Sequence, residues 1–182
     1  MFSFEKIKFK KILLKDLKRI FIWRNDSFIR SKMLNQKKIS YKEHLSWYKN
    51  LQRSNTQKSY IIYYKSVPIG VASIKEIDPI NQTCTWGFYI ANKAFRYLAV
   101  LIEIKFITLI FRNNKIRKIW GETLSSNKII LKIHKYLGFT INGTYKEHIK
   151  VNNKFQDVIL TSIFKKDWNM SKKKYYLSYN LI

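Results

Sequence analysis

Only three histidines occur in the 182 residues, and one of them, His134, stands seven positions after Asn127. Two turns of helix separate them, so both fall on one face of a short helical segment. An imidazole with its ordinary pKa near about 6.5 suits proton transfer at neutral pH, although a packing histidine has the same spacing. Glu122, one of six glutamates, lies in a strand-like run. It is a candidate general base or anchor for a relay water, or equally a partner for one of 36 cations. His44 and His148 have no catalytic partner in sequence. The single Cys84 excludes an internal disulfide, and it forms no metal-ligand spacing with three scattered histidines, so no metal is expected.

The net charge of +25 points towards anionic ligands, whether nucleic acid, membrane or phosphate. The basic residues are 29 lysines against 7 arginines, spread through every segment beside 27 isoleucines and 14 asparagines. That pattern reads as a solvated surface rather than a nucleic-acid stripe, so nucleic acid is not expected as a partner. Met1 to Lys18 alternates apolar residues with lysine, unlike the unbroken apolar core of a signal peptide. Tyr97 to Phe111 is shorter than the ~20 apolar residues of a membrane span and carries Glu103 and Lys105. A soluble protein of a reducing compartment, the cytoplasm, is the expectation.

These side chains must be positioned by a single domain over 1–182, since no linker or internal repeat divides the chain. Alternation predicts a strand over 4–10, and helical spacing follows from Leu14 to Trp23. Ser40 and Glu43 form a capping box for a helix ending near Arg53. Strands are predicted over 59–64 and 69–77, joined at Lys65–Pro68, and over 83–90. A long helix over 94–111 leads through Asn113–Asn114 to a strand over 117–124. A short helix over 127–136 ends at Gly138, and strands over 140–150 and 155–164 pair across Val151–Lys154. The order β-α-α-β-β-β-α-β-α-β-β describes an α/β layer structure around one sheet.

The strand Trp86-Gly87-Phe88-Tyr89-Ile90, the long helix, the strand Trp120-Gly121-Glu122-Thr123, Asn127, and His134-Lys135-Tyr136-Leu137-Gly138-Phe139 follow in that order. Together they resemble the GNAT superfamily of acyl-CoA-dependent N-acyltransferases over nearly the whole chain. More narrowly, Trp23-Arg24-Asn25, Arg30, Met33, Ile39-Ser40, Glu43-His44-Leu45, Gly143 and Lys154-Phe155-Gln156-Asp157-Val158 are similar to one branch. That branch acetylates the 4-amino group of a UDP-linked aminodideoxy sugar in pseudaminic acid biosynthesis.

The resemblance implies an α/β single domain with a mixed, mostly antiparallel sheet of about six or seven strands and about four helices. It implies acetyl-CoA as cosubstrate, a UDP-amino sugar as acceptor, direct transfer and a homodimer as one assembly. Backbone groups of Phe88, Tyr89 and Ile90 would hold the pantetheine arm where two strands splay apart. Arg96, Tyr97, Leu98 and Ala99 would meet the pyrophosphate, although this segment lacks the glycines of the family's phosphate loop. Asn127 would line the cofactor. His134 replaces the more usual tyrosine as proton donor to sulfur, Glu122 would serve as base or relay anchor, and Ser73 would order a water or the substrate. Arg24, Arg30, His44 and Lys75 are implied for the phosphates, since guanidinium forks suit phosphate oxygens. Met33, Trp47 and Tyr48 would form the apolar wall against sugar or uracil. An acetyltransferase acting on a peptide amine, or a non-catalytic basic binding protein on the same scaffold, remain alternatives.

Overall fold

The structure is a computed structural model that describes residues 4–113, 115–151 and 153–179. Seven strands, β1 (Ile7–Lys11), β2 (Lys58–Tyr64), β3 (Val67–Asp78), β4 (Thr83–Ile90), β5 (Lys118–Leu124), β6 (Thr140–Val151) and β7 (Lys154–Phe164), form one sheet. Their order across it is β1-β2-β3-β4-β5-β7-β6, and every neighbouring pair is antiparallel except β4 with β5. Six α-helices accompany it: α1 (Leu17–Asn25), α2 (Ser27–Arg30), α3 (Tyr41–Arg53), α4 (Ala99–Asn113), α5 (Lys128–Tyr136) and α6 (Lys165–Ser178).

The expected alternation is present, with three differences. Phe4–Lys6 is a 3-10 turn that precedes β1, and Leu14–Asp16 is another that precedes α1. The long helix is divided into a 3-10 segment, Lys93–Leu98, and α4 proper. α2 and α6 are additional. In α6, Trp168 and Tyr175 lie two turns apart and are buried, but lysines 172–174 mask that stripe in the sequence. Of the expected bends, Asn114 and Asn152 lie outside the described residues.

The sheet has two apolar faces. Ile62, Ala72, Ile74, Cys84, Ile90, Ile119 and Ile163 pack against α4, α6 and Phe139 on one. On the other, Ile61 and Val71 meet Leu17, Ile20 and Leu51 of α1 and α3, with Trp23, Trp47, Tyr48 and Tyr89 around them. α3 starts at the predicted capping box, with Ser40 Oγ accepting from the Glu43 amide at 3.2 Å and Glu43 Oε2 accepting from the Ser40 amide at 2.6 Å. β3 and β4 come unusually close at Gly70, paired with Ile90, where an added Cβ would lie 2.1 Å from the Tyr89 carbonyl oxygen. No helix among the described residues is long and apolar enough to cross a membrane.

Candidate active site

β4 and β5 run parallel but pair only over Thr83↔Lys118, Cys84↔Ile119 and Thr85↔Trp120. Beyond that point β4 continues to Ile90 along β3, and β5 to Leu124 along β7. The backbone groups of 86–90 that point towards β5 therefore have no strand partner. Unpaired strand groups must find another hydrogen-bonding partner, and an extended amide-bearing arm satisfies them. Phe88, Tyr89 and Ile90 lie on this open edge.

Strand alternation divides the neighbouring side chains between the faces. Trp86, Phe88 and Ile90 point to the α4 side, Gly87 and Tyr89 to the α1–α3 side. The register Ser59↔Ser73↔Gly87 puts Ser73 on the α1–α3 side, and the Ser73 and Ser59 hydroxyls hydrogen-bond at 2.8 Å. Pairing of Thr85 with Trp120 carries Trp120 and the exposed Glu122 to that same side. His134 stands on the opposite one.

His134 is buried, only 5% exposed, and its ring is stacked on Phe139 at 4.6 Å and beside Trp86 at 5.8 Å. Both ring nitrogens face protein groups: Nδ1 is 3.2 Å from Thr161 Oγ1, and Nε2 is 3.4 Å from Glu103 Oε1. The expectation of an imidazole with an ordinary pKa is thereby corrected. Burial lowers its pKa to about 4, so the ring is neutral at neutral pH. Glu103 is wholly buried and neither oxygen makes a hydrogen bond, although Oε1 lies 3.4 Å from His134 Nε2. Desolvation pushes its carboxyl well above the usual range.

These shifts have opposite consequences for stability. His134's depressed pKa gives a contribution that is full above its unfolded value near about 6.5 and declines as pH falls towards the folded value. Glu103's raised pKa gives one that is full below its unfolded value and is lost as pH rises through the folded one. Between about pH 4.5 and 6.5 the two slopes oppose each other. In Glu103→Gln, unfolding free energy should rise across that window by roughly 1 kcal/mol per pH unit. In His134→Phe it should fall or level off, the burial-lowered His44 adding a small rise to both. Urea titrations that give the two variants parallel pH profiles would contradict the assignment.

The α1–α3 side is ordered by side chains bonded to backbone. Arg24 donates from Nη2 to the Asn35 carbonyl at 2.8 Å, while its Nη1 is buried with no partner. Burial lowers the Arg24 pKa and raises that of the Tyr89 phenol, and each group's charge favours the other's ionised form. Arg30 is committed to the carbonyls of Asn25 at 3.1 Å and Gln36 at 2.8 Å, so it shapes the 31–39 loop rather than reaching out as a free phosphate fork. His44 is also corrected. It is 2% exposed, with Nε2 3.0 Å from the Leu17 carbonyl and its ring stacked on Trp47 at 5.1 Å, a tether between α3 and α1. Lys75 is exposed on β3, Trp47 and Tyr48 are half-buried at the α1–α3 core, and Met33 is half-buried in the loop.

The glycine-free segment after β4 has its own solution. Asn92 caps it through Oδ1 on the Ala94 amide at 3.1 Å, and Lys93–Leu98 winds as a 3-10 helix. Arg96 places its guanidinium carbon 3.5 Å from the centroid of Phe28 in α2, with Nε buried and unbonded. Tyr97 is exposed and Ala99 half-buried, whereas Leu98 is a core residue that can offer only backbone. Asn127 precedes α5 and makes no side-chain cap. At Gly121 the position of a Cβ has only Trp86 Nε1 within 4 Å, at 3.8 Å. The lone carboxylate inside the apolar 97–111 run was the available signal for Glu103.

The wedge between β4 and β5, on a sheet of this order, is the frame of an acyl-CoA-dependent N-acetyltransferase. The family described as "Acetyltransferase (GNAT) domain" matches residues 9–160, and the chain belongs to that family. Acetyl-CoA is its cosubstrate. Two curated relatives, both Acetyltransferase PseH from strains of Campylobacter jejuni, are similar at 24% identity over 82% of this chain and 92% of theirs, and at 28% over 76% and 86%. Spermidine N-acetyltransferase from Vibrio cholerae, solved with CoA and spermine, superposes with a TM-score of 0.85 at 18% identity, covering 91% of this chain and 99% of that one.

Proposed function

We propose that the chain transfers the acetyl group of acetyl-CoA directly to the amino group of a UDP-linked amino sugar, in the cytoplasm. The observation that carries this reading is the cationic character of the acceptor side. Arg24 has an unbonded, buried Nη1 there, Lys75 is exposed, and Tyr89, Trp47 and Tyr48 supply aromatic surface. Such a surface attracts a diphosphate and repels a polycation such as spermidine. The similarity to PseH supports a sugar acceptor, while the spermidine enzyme shares the fold at an identity too low to transfer its substrate.

In this mechanism the acceptor amine approaches from the α1–α3 side. Glu122, directly or through a water ordered at Ser73, takes its proton as the nitrogen attacks the thioester carbon. A β4 amide in the wedge donates to the developing oxyanion. The tetrahedral intermediate then expels CoA thiolate, which is protonated from the His134 side. Base and acid thus serve opposite faces of one wedge, which favours direct transfer over a covalent enzyme intermediate.

Acetyl-CoA should raise the melting temperature in proportion to the logarithm of its concentration above Kd, as any ligand selective for the native state does. Turnover assays should then compare a UDP-4-amino sugar, spermidine and an amino-terminal peptide. Sugar turnover is expected to dominate, and Arg24→Ala to raise the sugar's KM by roughly tenfold or more, the scale of one charge-assisted hydrogen bond. Preference for spermidine or peptide would overturn the acceptor assignment.

A further inference from the structure

Glu103 is the least expected side chain in the molecule. It lies in the middle of α4, wholly buried in an apolar core, with neither oxygen hydrogen-bonded. A carboxyl that forfeits its water and gains no partner lowers stability, and an apolar replacement of similar size would not. Its polar neighbour is His134 Nε2 at 3.4 Å, and across the same ring Nδ1 meets Thr161 Oγ1 at 3.2 Å. Three side chains from α4, α5 and β7 are thus arrayed as carboxyl, imidazole and hydroxyl. Thr161 is paired with Gly121 of β5, the strand that forms one wall of the wedge. Beside it, the position of a Cβ on Gly121 has only Trp86 Nε1 within 4 Å, at 3.8 Å, so the wall of the wedge is thin next to the buried Thr161 hydroxyl.

We propose that Glu103, His134 and Thr161 form a buried relay that delivers the proton to the departing CoA thiolate. A neutral imidazole is a poor acid alone, because giving up its N–H would leave an imidazolate. The relay removes that obstacle by loading one nitrogen as the other unloads. The Glu103 O–H bond breaks as Nε2–H forms, Nδ1–H breaks as its proton passes to Thr161 Oγ1, and the original threonine O–H breaks as S–H forms. The products are a glutamate carboxylate, the other neutral imidazole tautomer, an intact threonine and a neutral thiol. Solvent reprotonates Glu103 when CoA departs. The 3.4 Å contact shortens in the reacting complex, as catalytic hydrogen bonds that are long in the free enzyme commonly do. Glu103 acts through His134 and is a positioning and proton-storing residue. The inference rests on the acetyl-transfer reading but not on the acceptor.

The decisive comparison is Glu103→Met with Thr161→Val and Thr161→Ser in the full chain. Glu103→Met should melt at a higher temperature than wild type, yet lose roughly a hundredfold in kcat with the KM for acetyl-CoA unchanged. Thr161→Val should lose a similar factor, and Thr161→Ser, which keeps the hydroxyl, should recover most of it. Whichever of the three amines is turned over serves as acceptor, so failure of the sugar assignment leaves this test standing. Full kcat in Glu103→Met or Thr161→Val overturns the relay and leaves a structural cluster. Glu103→Gln provides a second probe if the methionine variant fails to fold, with the same expected loss. Should none of the amines react, carbon-13 NMR of the Glu103 carboxyl decides. A protonated carboxyl at pH 7 that becomes a carboxylate on adding CoA at a pH where its thiol ionises supports the relay; an ionised carboxyl at pH 7, or one indifferent to CoA, overturns it.

Discussion

Replacing Gly70 by alanine should lower the melting temperature by about 2–12 °C and abolish stabilisation by acetyl-CoA, at about 2–4 °C per kcal/mol for a domain this size. The added methyl group would stand 2.1 Å from the Tyr89 carbonyl oxygen and 3.0 Å from Ile90 Cα, both backbone atoms of β4. No side chain can rotate away to accommodate it, so β3 and β4 must part. Overpacking of this kind costs about 1–3 kcal/mol or more. The damage falls on the strand whose free edge is proposed to take the cosubstrate. Gly87, 17 residues on in the same pair of strands, has nothing within 4 Å of its Cβ position. Gly87→Ala should therefore melt close to wild type. Calorimetry with and without acetyl-CoA separates the two, and a Gly70→Ala protein that melts and binds normally would refute the close approach.

His134→Phe should reduce kcat by about ten- to ten-thousand-fold, the range for losing a positioned proton donor, while leaving acetyl-CoA affinity nearly unchanged. A phenyl ring can keep the stacks with Phe139 and Trp86 but loses both nitrogen contacts. His134→Tyr, which restores a hydroxyl, should retain appreciable activity. Because burial holds the imidazole pKa at about 4, the wild-type rate should show no His134 limb between about pH 6 and 9. Stopped-flow measurement of acetyl transfer over that range is the check. A limb near about 6.5 that vanishes in His134→Phe would mean that the ring is solvated in the working enzyme.

The strand and helix order was legible because the chain carries clean local signals. The Ser40–Glu43 capping box and the strand-like run over 83–90 each predict the element found. What stayed hidden depended on tertiary contact. A lysine-rich run conceals α6, whose two buried aromatics meet the core only after folding. His44 and His134 are equivalent to a sequence reader, being helical histidines among apolar neighbours. Their environments differ through Leu17 in one case and Glu103 with Thr161 in the other, partners 27 to 31 positions away. Arg30 could be recognised as a cation near the acceptor side, but not as one already committed to two carbonyls.

The loop over 31–39 is held largely by its backbone. Arg24 and Arg30 grasp the carbonyls of Asn35 and Gln36, and Asn25 brackets Ile39 by accepting from its amide and donating to its carbonyl, both at 2.9 Å. The restraints come from α1 and α2 and read peptide groups, which every replacement residue other than proline at 39 still provides. The side chains of Met33, Leu34, Lys37 and Lys38 are thereby released from the task of keeping the loop's shape. An acceptor preference written in those positions can be rewritten by substitution without re-solving the fold, which makes this loop the natural place to diversify a library for new amine substrates.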